Sequence, residues 1–277
     1  MTITYLFIIT VVVIIGEFSI TESLIEKKRV FNHFIIDGEN AGSKDAPFLV
    51  SLSMSNISYA HVCSGTIIHK EWILTAAHCV NDLEKMAGNV IGLPVYAGLS
   101  NRTKLEDAQI RTVDFAYNHK EFNGNENTDN IALLHIMPAF EFNGTVKQIL
   151  LPYRGEAFDN KKSVTYSWGL LNPEDTVYVK DLQRSESYIL SEKECKAALP
   201  SNAPLTSKHV CAHVFACYGD GGAPIVIEGM DGITELIGLA SWGYLPCAYK
   251  NYPTVYTAVS QYIGWIADVQ SAYYTLH

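Results

Sequence analysis

The sequence predicts an all-β fold that ends in one short helix. Three observations lead there. Short runs rich in β-branched and aromatic residues recur along the chain, separated by Gly, Asn and Asp turn residues. A helical spacing of apolar residues occurs once, near the C-terminus. Hydrophobic residues make up 48% of the chain and charged residues 18%, a balance that suits a packed core. A chain of 277 residues fits one large β domain or two small ones.

In order, Tyr5 to Gly16 form an apolar run too short for a comfortable membrane span and suited to a signal-peptide core; an uncleaved anchor is the alternative. Residues 1–22 are expected to be a signal peptide and 23–34 a polar connector containing Lys27-Lys28-Arg29. Strand-like runs follow at Phe48–Leu52, Thr66–Ile68, Trp72–Thr75, Val90–Tyr96, Ile110–Phe115 and Ile131–Ile136. A second set lies at Ser163–Trp168, Asp181–Ile189, Pro224–Ile227, Leu236–Trp242 and Thr254–Val259. Ser260–Ser271 is the only segment that reads as helix, with Ser260 as N-cap and Ile263, Ile266 and Ala267 on one face. Many short strands of this kind make barrels or sandwiches.

Three short motifs carry chemistry. Thr75-Ala76-Ala77-His78-Cys79 places a histidine beside a cysteine. Asp129-Asn130-Ile131-Ala132-Leu133-Leu134 puts polar residues ahead of an apolar run. Cys217-Tyr218-Gly219-Asp220-Gly221-Gly222-Ala223-Pro224 builds a tight glycine turn whose N–H groups can approach a ligand. The three motifs, in this chain order, resemble the histidine, acid and serine motifs of the trypsin/chymotrypsin-like serine proteases. The resemblance covers Ile35 to Val269.

The resemblance implies two six-stranded antiparallel β-barrels with a cleft between them, at about 35–151 and 152–259 within a domain of 35–272. It also selects one of the roughly fifteen pairings open to six cysteines: Cys63–Cys79, Cys195–Cys211 and Cys217–Cys247. His78 matches the family histidine. Asn130 matches the acid position, with Asp129 as a substitute if the local register slips by one residue. Gly221 stands at the nucleophile position and offers no oxygen for an acyl-enzyme. The backbone N–H groups of Gly219 and Gly221 match the oxyanion hole. Phe215 lies at the pocket base, where trypsin-like members carry aspartate; Ser241, Trp242, Gly243 and Thr254 form its walls. Ile35 and Asp220 match the ion pair formed on activation, yet Phe34 precedes Ile35 and Asp37 replaces a glycine, so a trypsin-type activator would not cut there.

The formal charge of −9 argues against a nucleic-acid partner. No cofactor and no metal are expected; the family's calcium loop, near Asn101–Asp107, is too weak a match to carry over. Asn56, Asn101 and Asn143 begin Asn-x-Ser/Thr sequons. The expected function is that of a secreted, non-catalytic serine protease homologue, extracellular and monomeric, without a membrane span in its mature form. It would bind an extracellular protein of unknown identity; the alternative is a serine-type endopeptidase with an altered site.

Overall fold

The computed structural model describes residues 38–54, 61–170, 174–175, 177–214, 216–229, 233–247 and 252–276. The signal-peptide and connector expectations, Ile35, Asn56 and Phe215 lie outside the described residues.

The first barrel is built from β2 (Leu49–Ser53), β3 (His61–His69), β4 (Trp72–Thr75), β5 (Pro94–Ala97), β6 (Gln109–Asn118) and β7 (Ala132–Met137), after the short β1 (Glu39–Asn40). It closes in the order β2-β3-β4-β7-β6-β5, all antiparallel. The second is built from β8 (Lys162–Ser167), β9 (Gln183–Leu190), β10 (His209–Ala212), β11 (Pro224–Glu228), β12 (Thr234–Trp242) and β13 (Thr254–Ala258). Its order is β9-β10-β13-β12-β11-β8, and the β8–β9 ladder closes the ring; β1 adds to the outer edge of β9. Closure removes the open strand edges that would otherwise invite aggregation.

Alternation of side chains across each strand fills the barrels. Val50, Leu52, Ile67, Ile73, Val95, Leu134 and Ile136 are buried together in the first. Ile189, Ile225, Ile237 and Tyr256 are buried together in the second. Each such side chain contributes about 1.5–3 kcal/mol on burial.

Two helices correct the expectation of a single one. α1 (Ala77–Ala87) buries Ala77, Cys79, Val80 and Leu83, and stops where Gly88 takes a φ of 80°. Its apolar face is short and falls within the histidine motif, so the periodicity is easily missed. α2 (Glu192–Ala198) starts with a capping box between Ser191 and Glu194. The C-terminal helix α3 (Ile263–Leu276) starts later and runs further than expected. Ser260 does not cap it: it sits in a preceding 3-10 turn and its hydroxyl donates to the Glu156 carbonyl. The expected strand at Val90–Tyr96 is confined to β5, and β10 was not anticipated. Among the described residues no helix is long and apolar enough to cross a membrane.

Candidate active-site cleft

β4 runs straight into α1, so His78 sits at the first turn of a helix whose next residue is pinned by the Cys63–Cys79 disulfide to β3. The glycine turn is held in the second barrel by its own acid. The carboxylate of Asp220 accepts the N–H of Cys217 at 2.7 Å and that of Gly169 at 3.0 Å. The Ser64 N–H then donates to the Gly221 carbonyl at 2.8 Å, tying this turn to the first barrel. Gly222, with φ 71°, has no room for a side chain: a Cβ there would overlap the Ser64 carbonyl and the Thr75 hydroxyl. Two further disulfides, Cys195–Cys211 and Cys217–Cys247, complete the pairing, and no described cysteine is free.

Asn130 is fully buried and meets His78 twice. Its Oδ1 accepts the His78 backbone N–H at 3.0 Å. Its Nδ2 lies 2.8 Å from His78 Nδ1 and donates to Ser241 Oγ at 2.8 Å. The backbone N–H can only donate, so the amide oxygen must face it and the amide nitrogen must face the ring. Nδ1 is thereby an acceptor, and the neutral imidazole carries its proton on Nε2. Burial lowers the imidazole pKa, against the opposing charge of Asp82; the hydrogen bond that Nδ1 accepts from Asn130 favours the neutral ring as well.

Asp129 does not reach this histidine. Its backbone φ of 50° turns the carboxylate away, to Lys208 Nζ and to the Tyr262 hydroxyl at 3.1 Å. It is Asn130 that the fold brings to His78.

The ring also closes on Gly221. A Cβ built on that glycine would overlap His78 Nε2 and stand 3.0 Å from both sulfurs of the Cys63–Cys79 bridge. Nε2 itself lies 3.5 Å from Cys79 Sγ. Cys63, His78 and Cys79 bring their ligand-type atoms within 4.8 Å of one another, but both sulfurs are spent in the disulfide and offer no thiolate.

The cleft of ≈ 480 Å³ is lined by His78, Gly219, Gly221, Ser241, Trp242, Gly243 and Thr254 among others. Behind its wall, the space bordered by Val214, Ala216, Ala240 and Tyr256 has no room for a water molecule. Thr254 lines the cleft itself, and its hydroxyl donates to the Val214 carbonyl and accepts the Ala216 N–H at 2.9 Å. Burial pushes the Asp220 carboxyl up to about 6, against hydrogen bonds from Ser167, Cys217 and Gly169. Among the described residues no cation meets that carboxylate.

His61 is a site residue that the sequence did not flag. It lies at the start of β3, its Nε2 2.9 Å from the Gly219 carbonyl and its Nδ1 2.7 Å from Ser51 Oγ. A carbonyl only accepts, so Nε2 donates and Ser51 donates to Nδ1. Burial and the Arg102 charge hold this imidazole down to about 3, so it is neutral and holds the Gly219 backbone in place. Its place two residues before Cys63 was the available signal.

The family model described as Trypsin matches residues 35–266. The chain belongs to the trypsin family. Its relatives include the lectizyme of Glossina austeni, 35% identical over 249 residues, which cover 84% of this chain and 85% of that protein. The trypsin of Sus scrofa is 30% identical over 243 residues, 86% of this chain and 96% of that protein. Trypsin II-P29 of Gallus gallus is 31% identical over 245 residues, 86% and 90%. Trypsin-family membership accounts for the paired closed barrels and for a cleft at their junction.

Proposed function

We propose that this chain is a secreted, non-catalytic member of the trypsin family that binds an extracellular protein through its retained cleft and the surrounding loops. In this reading residues 1–22 are the leader, 23–34 the connector and 35–272 the mature domain, which acts as a monomer. The observation that carries it is the meeting of His78 with Gly221. The residue facing the imidazole has no side chain, and the ring occupies the volume in which a side chain would start.

Two further features support it. Asn130 favours the imidazole tautomer with its proton on Nε2, the atom that a general base must keep free. Thr254 sets a β-branched side chain in the cleft wall, where trypsin-like members usually carry glycine, and position 215 is phenylalanine where they carry aspartate, so the cleft is not furnished for a lysine or arginine side chain. The N–H groups of Gly219 and Gly221 remain available in this reading to hold a carbonyl that is bound and not cut. The second reading, a serine-type endopeptidase with an altered site, draws on the family and on relatives that are trypsins.

A fluorophosphonate decides between them. The mature protein should stay unlabelled, since Gly221 has no oxygen to phosphorylate. Stoichiometric labelling that disappears when one serine is replaced would establish the endopeptidase.

A further inference from the structure

We propose that Asn143 carries an N-linked glycan and that the carbohydrate shelters the exposed ring of Phe142. The proposal rests on the secretory route of the preceding section, and the three disulfides fit the same oxidising compartment.

Asn143 stands in the exposed loop that follows β7. Its Oδ1 accepts three hydrogen bonds: the Thr145 N–H at 2.8 Å, the Thr145 hydroxyl at 3.1 Å and the Val146 N–H at 2.9 Å. The donors fix which side of the amide is oxygen, so Nδ2 faces outward. Among the described residues no acceptor meets that nitrogen. A Cβ placed on the neighbouring Gly144 would touch nothing within 4 Å, so the space beside the amide is open. Phe142, Asn143, Gly144, Lys147 and Gln148 border a surface hollow of ≈ 660 Å³. Phe142 is 46% exposed at its edge. The C–H face of a first sugar can cover that ring, while Lys147 and Gln148 offer polar partners to its hydroxyls.

Asn101 has the same geometry at its oxygen, which accepts the Thr103 N–H at 2.9 Å and hydroxyl at 2.6 Å, but differs at its nitrogen. Its Nδ2 donates to Asp181 Oδ1 at 2.7 Å, and the two residues form a β-bridge. The following Arg102 is 2% exposed, and its N–H donates to the Lys180 carbonyl. A sugar on Asn101 Nδ2 displaces the Asp181 carboxylate and strains that bridge.

The chemistry is a glycosyl transfer from a lipid-diphosphate-linked oligosaccharide, the co-reactant supplied by the secretory compartment. Nδ2 bonds to the anomeric carbon as the carbon–oxygen bond to the diphosphate breaks. The lipid diphosphate leaves, and the Nδ2 proton passes to a base of the transferase.

The test uses the full chain with Asn56→Gln, expressed in a eukaryotic secretory host behind its own leader and, in parallel, behind a proven one. Enzymatic release of N-glycans in heavy-oxygen water converts the carrier asparagine to labelled aspartate, which peptide mass mapping locates. Label at position 143 alone is expected, and adding Asn143→Gln should abolish it. Release should also raise binding of a hydrophobic-surface dye, and Phe142→Ser should remove that rise. A bare Asn143 in the secreted protein, or label at Asn101, overturns the proposal. Failure of the native leader alone counts against the secretory reading, while the second expression still reports on Asn143.

Discussion

The buried amide of Asn130 is oriented by the backbone N–H of His78, and that orientation delivers its nitrogen to the imidazole Nδ1 at 2.8 Å. One backbone donor thus decides where the ring proton sits. The first prediction is spectroscopic. Imidazole nitrogen shifts of His78 should report a neutral ring protonated on Nε2. In Asn130→Asp the carboxylate can only accept, so the proton should move to Nδ1. Protonation on Nδ1 in the unaltered protein would contradict the orientation assigned to the amide.

Restoring a hydroxyl should not be free. Gly221→Ser places a Cβ against His78 Nε2 and the Cys63–Cys79 sulfurs, so ring or turn must shift. Overpacking of this kind costs about 1–3 kcal/mol, visible as a lower denaturation midpoint, with no gain in phosphonate labelling. Adding Asn130→Asp, with a cleavable site before Ile35, should allow slow reaction with a small phosphonate. Cleavage after lysine or arginine should still fail, because Thr254 stands in the cleft wall and position 215 carries no aspartate to hold a cation. Trypsin-like turnover by that variant would refute the account of the pocket.

Thr254 should matter through its hydroxyl and not through its shape. Thr254→Val keeps the volume but strands the Val214 carbonyl and the Ala216 N–H, at a cost of about 1–3 kcal/mol. Thr254→Ser should recover most of this in urea titrations. Equal losses in both variants would show that packing, not hydrogen bonding, is the role of this residue.

Asp220 should leave a signature in the pH dependence of stability. Its folded pKa, about 6, lies above the unfolded value near 3.8. The fold therefore favours the neutral acid. Its contribution is complete below about pH 4 and is lost as pH rises through about 6, at most about 3 kcal/mol. His61 acts in the other direction: held down to about 3, it supports the fold above pH 6.5 and less as pH falls towards 3. Comparison with Asp220→Asn isolates the first effect; the unaltered protein should lose stability relative to the variant between pH 4 and 6. The reverse slope would mean that a cation pairs with Asp220, the result expected if cleavage before Ile35 frees an ammonium group.

Much of the fold was legible because its causes are local. Period-two alternation and turn residues marked most strands, and short motifs located His78, Asn130 and Gly221. That Gly221 offers no side-chain oxygen is a plain property of the sequence: glycine has no side chain in any fold. The resemblance of those motifs to the trypsin family supplied the barrels and the disulfide pairs. Tertiary structure decided the rest, through groups far apart along the chain. Whether Asp129 or Asn130 meets the imidazole depends on a φ of 50° at Asp129 and on Lys208 and Tyr262 waiting for its carboxylate. The tautomer of His78 depends on an amide 52 residues away. His61 acquires its role only when the Gly219 carbonyl, 158 residues on, comes within 2.9 Å. Local sterics choose backbone conformation residue by residue. Hydrogen-bond direction inside a dry cleft is set by whichever donors and acceptors the closed barrels bring together, and no window of neighbouring residues contains them.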